Sequence, residues 1–260
     1  MTYTSILFET ADDVATITLN RPERLNACGL DMADEVSDAL DAAKGARAIL
    51  ITGAGRAFCS GADLQARGDR SAMGGEASYQ ALTRHYNPLM LKLARIDVPV
   101  VTAVNGPAAG VGCSIALAGD FVIAGTSAYF LQAFVNIGLV PDGGASWMLP
   151  RLAGKARAAQ MMMLGEKVPA ATAEDWGLIY RTVEDASLMD EARALARRLA
   201  SGPTLALGIM RRNLEMAMQS DYATALQREA EGQRQAGSST DAREGGMAFL
   251  EKRKPRFSGK

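Results

Sequence analysis

The 260-residue sequence is poor in the residues that most often hold metals, with one histidine and three cysteines. Cys28, Cys59 and Cys113 are widely spaced and form no C-x-x-C pair, so a Cys/His zinc site is not expected. An odd number of scattered cysteines indicates reduced thiols, as in the cytoplasm. His85 has no cysteine near it in sequence, and we interpret it as a structural or surface residue.

Long apolar runs and an excess of charge of one sign are also missing. No apolar run approaches the roughly 20 residues that span a bilayer, and the N-terminus lacks a signal-peptide pattern. The formal net charge of -1 favours neither nucleic acid nor an anionic membrane as a partner. Apolar residues make up 48% of the chain, which is enough for one full core. We expect a soluble cytoplasmic protein that contacts no membrane.

Common nucleotide-binding and hydrolase motifs are absent. Gly110 and Gly112 open a helix after a strand, but Ile115 stands where a dinucleotide-binding motif needs its third glycine. The sequence contains no phosphate-binding P-loop and no G-x-S-x-G motif. A Rossmann enzyme, a P-loop NTPase and a serine hydrolase are therefore disfavoured.

Strands and helices alternate through about residue 145. Apolar β-branched runs predict strands at 14–19, 48–52, 99–104 and 121–124. Helical spacing predicts helices at 30–43, 77–95 and 110–118, and residues 66–78 are predicted to form a loop. Beyond residue 145 nearly the whole chain is predicted to be helical: 144–150, 155–164, 170–176, 186–200, 204–218, 221–235 and 240–252. The pattern predicts an α/β core with mainly parallel strands, followed by a helical region.

Two segments, residues 52–64 and 103–114, lead from a strand through small residues into a helix start. Small side chains let a ligand approach the backbone, and helix starts offer unpaired N–H groups. Two such segments facing each other would donate hydrogen bonds to one oxygen as it gains negative charge. The alternative is that both are tight turns that pack helices on a sheet, and spacing alone does not decide between them.

Four motifs follow one another in a fixed order: NRPERLNA (20–27), FCSGADL (58–64), VNGPAAGVGC (104–113) and GLVPDGG (138–144). With the terminal FLEKRK (249–254), they resemble the signatures of the enoyl-CoA hydratase/isomerase (crotonase) family across essentially the whole chain. The stretch 141–157 and the ending 256–260 most resemble family members that isomerise a ring epoxide of phenylacetyl-CoA in phenylacetate degradation.

The resemblance implies a fold and an assembly. The expected α/β fold is a spiral of ββα units over residues 1–200, with a helical trimerisation region over residues 201–260. Such chains usually form a homohexamer from two homotrimers. We expect the apolar residues of the helical region to be buried between copies, notably Leu205, Leu207, Ile209, Met210, Leu214 and Met218.

The resemblance also implies an acyl-CoA thioester as substrate, with no further cofactor and no metal. The backbone N–H groups of Ala62 and Val111 would form an oxyanion hole. Substrate or CoA contacts carry over to Arg24, Leu25, Ala27, Ala62, Asp63, Leu64, Gly110, Ser114, Phe134, Phe249 and Lys252. Arg21 and Arg24 are candidates for contacts with the CoA phosphates.

The proton carriers separate isomerase from hydratase. The family's hydratases use two glutamates, and the matching positions here are Ser114 and Phe134, neither of which is a carboxylate. Asp142 is the remaining acid, and isomerases of the family often have an acid there. The chain is therefore predicted to be an isomerase with Asp142 as its proton shuttle, helped by Ser114 and Asn136.

Other hypotheses remain open at this point. Aspartate before glycine is also a common turn residue, which would give Asp142 a purely structural role. The chain could instead be an enoyl-CoA hydratase that uses substitute residues. From another class, it could be a non-catalytic member of the family that binds acyl-CoA or RNA.

Overall fold

The computed structural model describes residues 2–63 and 74–260, which contain nine strands and ten α-helices. The strands are β1 (Ile6–Ala11), β2 (Val14–Leu19), β3 (Ala48–Gly53), β4 (Val100–Val104), β5 (Pro107–Ala109), β6 (Phe121–Gly125), β7 (Tyr129–Leu131), β8 (Val168–Pro169) and β9 (Arg181–Val183).

The helices fall into two groups along the chain. Helices between strands are α1 (Leu30–Ala42), α2 (Gly75–Ala81), α3 (Asn87–Arg95), α4 (Val111–Leu117), α5 (Ala145–Ala159) and α6 (Ala170–Asp175). After the last strand come α7 (Leu188–Ala200), α8 (Thr204–Ala217), α9 (Tyr222–Gly237) and α10 (Thr240–Leu250).

Six strands form the larger sheet, in the order β1-β2-β3-β4-β6-β9. The pair β1 and β2 is antiparallel, and all other neighbours are parallel. Strands β3 and β4 are buried at every residue, as expected for parallel strands covered on both faces. Ile49 and Ile51 face a cluster that includes residues of α1, α3 and α4, whereas Leu50 and Val101 pack with Ala192 of α7.

A second, smaller sheet lies beside the first and is formed by β5, β7 and β8. Strand β5 pairs in parallel with β7, and β7 pairs antiparallel with β8. Because only Asn105 and Gly106 separate β4 from β5, the chain passes almost directly from the large sheet into the small one. This step places the start of α4 at the carboxyl end of the large sheet.

The sequence predictions for the main elements are confirmed. Predicted strands 14–19, 48–52, 99–104 and 121–124 correspond to β2, β3, β4 and β6, and the parallel pairing is present. Three of the strands that the sequence did not predict, β5, β7 and β9, have three residues each, too few for a periodic pattern.

Some predicted boundaries were wrong. The helix predicted over 77–95 begins at Gly75 and contains a π-helical turn, Leu82–Tyr86, between α2 and α3. The predicted loop over 66–78 is therefore wrong from Gly75 onward, and its residues up to 73 lie outside the described part of the chain. The two helices predicted at 144–150 and 155–164 are joined in α5, which is kinked at Gly154 (φ 79°) and followed by a π-helical turn.

A buried arginine joins the helical region to the sheet. Arg211 of α8 is 8% exposed, and its Nε donates to both carboxylate oxygens of Asp120, at 2.8 and 2.7 Å. Its other nitrogens donate to three backbone carbonyls at the end of α3, those of Leu93, Ala94 and Ile96.

The same carboxylate also holds the start of a central strand. Asp120 Oδ2 accepts a hydrogen bond from the N–H of Val100, the first residue of β4, at 2.7 Å. Loss of one member of a buried ion pair typically costs about 3–5 kcal/mol. Because Asp120 is partly exposed, the cost of losing Arg211 should lie near the lower end of that range.

Helices α8 and α9 present apolar side chains at the surface of the single chain. Leu205, Met210 and Leu214 on α8 are exposed, as are Met218 directly after it and Tyr222 and Leu226 on α9. Ile209, expected among these surface residues, is buried inside the chain, where its Cγ2 lies close to Gly232 of α9. In the described part of the chain, no helix is both long and apolar enough to cross a membrane.

We predict that the chain forms a trimer or hexamer, because such a surface is costly to leave in water. Sedimentation velocity at micromolar concentration should show no stable monomer. Met210→Glu combined with Leu214→Glu should shift the protein to smaller species with an unchanged circular dichroism spectrum. A monomeric unmodified protein would contradict this prediction.

Candidate active site

The two small-residue segments lie side by side at the carboxyl ends of β3 and β4. The N–H groups of Phe58 and Cys59 both donate to the carbonyl of Pro107 at 3.1 Å, and the N–H of Ala109 donates to Cys59 at 2.9 Å. The segment that follows β3 is therefore paired directly with β5. The sequence allowed these segments to be either a pair that faces one ligand or two separate packing turns. The structure shows that the two segments are hydrogen-bonded to each other.

The first predicted donor, the N–H of Ala62, lies in a short parallel bridge with Cys28. Cys28 donates to the carbonyl of Gly61 at 2.7 Å and accepts from the N–H of Asp63 at 3.0 Å. The two hydrogen bonds of this bridge therefore involve the carbonyl of Gly61 and the N–H of Asp63, and the N–H of Ala62 takes part in neither. Within residues 2–63 and 74–260, it donates to no protein acceptor.

The second predicted donor is the N–H of Val111, the first residue of α4. N–H groups in the first turn of a helix have no partner within the helix. The neighbouring Gly110 N–H donates to Leu131, and the N–H groups of Cys113 and Ser114 donate to the carbonyl of Gly110. For Val111, the described residues provide no acceptor.

The backbones that bear the two donors meet at two glycines. Gly61 and Gly110 both have positive φ, +107° and +54°, a region that most other residues avoid. A Cβ on Gly61 would lie 3.1 Å from the carbonyl oxygen of Ala109 and 3.9 Å from the Cα of Gly110. A side chain on Gly61 would press on the backbone of the other segment, whereas at Gly110 the positive φ is what favours glycine, so the two glycines allow the segments to lie close together.

Asp142 lies in a turn that packs on the helix carrying the second donor. Its carbonyl oxygen accepts from Ser114 Oγ at 3.0 Å and from the N–H of Ala145 at 3.2 Å. A Cβ on the adjacent Gly143 (φ +60°) would lie 2.7 Å from Ser114 Cβ and 3.4 Å from Val111 Cγ2. The Asp142 side chain is partly buried, and its Oδ1 atom is shielded from solvent.

Phe134 and Ser114, which the family resemblance matches to the hydratase glutamates, lie on two separate elements of the structure. Phe134 lies in a 3-10 helix, Ala133–Ile137, and its ring approaches within 3.6 Å of where a Cβ on Gly110 would be. Ser114 is completely buried. The side chains of Phe134 and Val111 are apolar, so they offer no proton carrier next to the donor segments.

The loop predicted to bind CoA is fixed to the segment after β3. The guanidinium of Arg24 lies 2.8 Å from the buried carboxylate of Asp63. Leu25 has a left-handed conformation (φ 51°), and its carbonyl accepts from the N–H of Ser60 at 3.0 Å. Leu64, also predicted to contact CoA, lies outside the described residues.

One buried side chain in this loop was missed by the sequence reasoning. Asn26 Nδ2 donates to the carbonyls of Ala54 and Ala57, at 2.9 and 2.7 Å, and its Oδ1 accepts from the N–H of Arg21 at 2.8 Å. Its only sequence signal was its place inside the NRPERLNA motif. Asn26 holds the loop in place, and the partly buried Ala27 follows it directly.

Three further residues predicted to act in the site, Phe249, Lys252 and Asn136, have the following contacts in the single chain. Phe249 and Lys252 lie at the end of α10, which packs on α9, and Phe249 is 83% exposed. Contact of Phe249 and Lys252 with CoA stays a prediction. Asn136, expected as a polar helper, donates its side-chain amide to the carbonyl of Gly165 at 3.1 Å.

The three thiols lie close to the donor segments but are poor nucleophiles. All three are free and buried. Burial raises the pKa of Cys59 to about 11, that of Cys113 to about 12, and that of Cys28 well above its usual value. Since the thiolate is the reactive form, these side chains are neutral and unreactive near pH 7.

The surface holds other charged pairs. Arg21, a candidate for CoA phosphate, forms an ion pair with Asp31. His85 Nδ1 lies 2.8 Å from Asp34 at the protein surface. Among residues 2–63 and 74–260, no group of three or more histidine, cysteine or acidic side chains is arranged to hold a metal ion.

A family model and two known proteins match nearly the whole chain. A family model described as "Enoyl-CoA hydratase/isomerase" matches residues 9–260. The chain is 44% identical over 258 residues to the 1,2-epoxyphenylacetyl-CoA isomerase of Escherichia coli (strain K12), covering 98% of each chain. It is 44% identical over 261 residues to a Rhodobacter capsulatus protein named "Probable enoyl-CoA hydratase", covering 100% of each.

A solved structure shows the same similarity in three dimensions. The enoyl-CoA hydratase from Bacillus anthracis matches with a TM-score of 0.93 at 30% sequence identity, covering 99% of this chain and 100% of that one. The agreement extends over the core and the helical region alike.

The role of the Val111 N–H can be tested by removing it. Proline is favoured at the first position of a helix, so Val111→Pro should fold while lacking this donor. Turnover of an acyl-CoA substrate should fall about 10²–10³-fold, the usual effect of losing one oxyanion donor. Val111→Ala keeps the N–H and should lose far less. Equal losses in both variants would assign the effect to the side chain.

Proposed function

The chain belongs to the enoyl-CoA hydratase/isomerase family, and from that membership we propose that it is an acyl-CoA isomerase with Asp142 as its proton shuttle. Its substrate would be a CoA thioester, and it would need no cofactor beyond the CoA that the substrate carries. We expect it to act as a homotrimer or homohexamer in the cytoplasm.

The first step is the binding of the thioester carbonyl between two backbone donors. The N–H groups of Ala62 and Val111 donate to the carbonyl oxygen, which gains negative charge when the substrate loses a proton. Donors fixed in advance stabilise that charge without reorganisation, so they lower the barrier more than they strengthen substrate binding. The packing of Gly61 beside Gly110 supports this role.

The second step is a proton transfer through one carboxylate. For a β,γ-unsaturated acyl-CoA, Asp142 removes a proton from Cα, and the electrons of that bond move into the thioester as a dienolate. The protonated Asp142 then returns the same proton to Cγ, which leaves the double bond between Cα and Cβ. No atom is gained or lost, so water is not a reactant.

The observation that carries this proposal is that the turn containing Asp142 packs against α4 and is hydrogen-bonded to it. Gly143 lies against both Ser114 and Val111, so the acid is anchored to the helix whose first N–H is the proposed donor. The hydratase positions are occupied by Ser114 and Phe134. Phe134 also places an apolar aromatic ring next to Gly110.

The 44% identity to the Escherichia coli isomerase favours a ring epoxide as substrate. We propose 2-(1,2-epoxy-1,2-dihydrophenyl)acetyl-CoA, whose rearrangement to a seven-membered oxepin also conserves every atom. Ring expansion breaks the bond between the two epoxide carbons. Asp142 would then move a proton from Cα to a ring carbon, which leaves a double bond between Cα and the seven-membered ring, with the thioester oxygen held in the same oxyanion hole. Double-bond isomerisation of enoyl-CoA is the second isomerase activity to test.

Hydration is the competing activity, because the Rhodobacter capsulatus relative at equal identity is named as a hydratase. Incubation with a panel of acyl-CoAs, including the ring epoxide, separates the two by mass and ultraviolet absorbance. Isomerisation changes the absorbance at constant mass, whereas hydration adds one water. Binding without any chemical change would favour a non-catalytic role.

We predict that Asp142→Asn lowers isomerase turnover by at least about 10²-fold, a typical general acid–base contribution. Asparagine keeps the size of the side chain but cannot accept and return the proton. Affinity for the CoA ester should change little, because the donor N–H groups remain. Asparagine suits turns as well as aspartate does, so near-normal turnover with intact folding would identify Asp142 as a turn residue only.

We also predict that the unmodified protein hydrates crotonyl-CoA poorly or not at all. Neither Ser114 nor Phe134 can hold a water and exchange its proton with the substrate. Loss of the enoyl thioester absorbance, together with mass spectrometry, measures the reaction. Fast hydration would overturn the single-carboxylate mechanism.

A further inference from the structure

We infer that Ser114 is a positioning residue for Asp142, a role that rests on the proposed function. The Ser114 hydroxyl donates to the backbone carbonyl of Asp142 at 3.0 Å, across 28 positions of sequence. This bond joins the turn that carries the acid to α4, whose first residue carries the proposed donor N–H. The Ser114 side chain thus holds the backbone of Asp142 against the helix that carries the proposed donor N–H.

Ser114 itself is held rigidly. Its N–H donates to Gly110 at 3.2 Å, and its carbonyl accepts from Ala118 at 3.1 Å. The whole residue is 0% exposed. A hydroxyl has a single proton, and here that proton is directed at the carbonyl of Asp142, so Ser114 is not a proton carrier for the substrate.

The turn has little freedom to compensate for the loss of this bond. The Asp142 carbonyl is held from two elements, by Ser114 of α4 and by the N–H of Ala145 at the start of α5. Gly143 fits against Ser114 only because it lacks a Cβ, which would lie 2.7 Å from Ser114 Cβ.

A double-mutant cycle tests the inference, with kcat and KM measured on a β,γ-unsaturated acyl-CoA. Ser114→Ala should lower kcat about 3- to 10-fold, in line with the loss of one hydrogen bond, and leave KM nearly unchanged. In the Asp142→Asn background, Ser114→Ala should lower the rate no further, because Ser114 acts through Asp142. Single-turnover measurements with enzyme in excess make the slow double variant measurable.

The matched control is Thr102→Val. The Thr102 hydroxyl is also buried and also donates to a carbonyl of α4, that of Ala116, at 2.8 Å. This variant should lose stability to a similar extent and keep its kcat, since it loosens the same helix away from Asp142. Ser114→Cys, which keeps the shape with a weaker donor, replaces Ser114→Ala in the cycle if the alanine variant fails to fold.

The possible results separate the two proposals. If Asp142→Asn has full activity, the proposed function fails, and the role of Ser114 fails with it. If Asp142→Asn is slow but the loss from Ser114→Ala is additive, only the positioning role is overturned. An unchanged kcat in Ser114→Ala, or an equal loss of kcat in Thr102→Val, also overturns that role.

Discussion

The candidate site depends on how closely the backbones approach one another beyond β3 and β4. A Cβ on Gly53 would lie 2.3 Å from the carbonyl oxygen of Ala57, and one on Gly106 would lie 2.2 Å from that of Arg56. A Cβ on Gly112 would lie 2.5 Å from the carbonyl oxygen of Cys59. Such distances are forbidden, so the segment 56–59 is held between three surfaces that only glycine can provide. The side-by-side placement of the two donor segments follows from this constraint.

The proposed chemistry is divided between backbone and side chains. The backbone supplies the two N–H groups, so their position depends on the packing of Gly61 and Gly110 and not on any functional side chain. In the same proposal, a side chain supplies the proton carrier. Under this proposal, the side chains at positions 142 and 134 set the type of reaction, and the backbone hydrogen bonds to the thioester oxygen do not depend on them.

Much of the fold was predictable because its buried elements carry strong patterns. The runs that became β3 and β4 are apolar throughout, since both faces of the sheet are covered. The proposed donors Ala62 and Val111 come from the family resemblance, which rests on ordered motifs rich in small residues, and the structure shows that several of these small residues are sterically required. Short strands such as β5 and β9 lack enough residues to show a period, and their pairing depends on distant parts of the chain.

Contacts within the site were less predictable than its residues. The hydrogen bond from Ser114 to Asp142 and the bonds of Asn26 to Ala54 and Ala57 join positions far apart in sequence. No local pattern encodes them, because they depend on how the loops are brought together after the sheet has formed. Phe249 and Lys252 differ again, since they lie at the end of α10, which packs on α9, and the predicted contact of these two residues with CoA remains untested.

Arg211 links helix α8, through which we predict that copies of the chain associate, to the central sheet. Protein that is associated is stabilised by mass action, and that stabilisation grows with concentration. If copies associate through α8, Arg211 transmits the effect to the sheet, because its partner Asp120 also holds the first N–H of β4. Dilution would then weaken the centre of the molecule as well as its outer helices, and the half-life of activity on heating would depend on protein concentration.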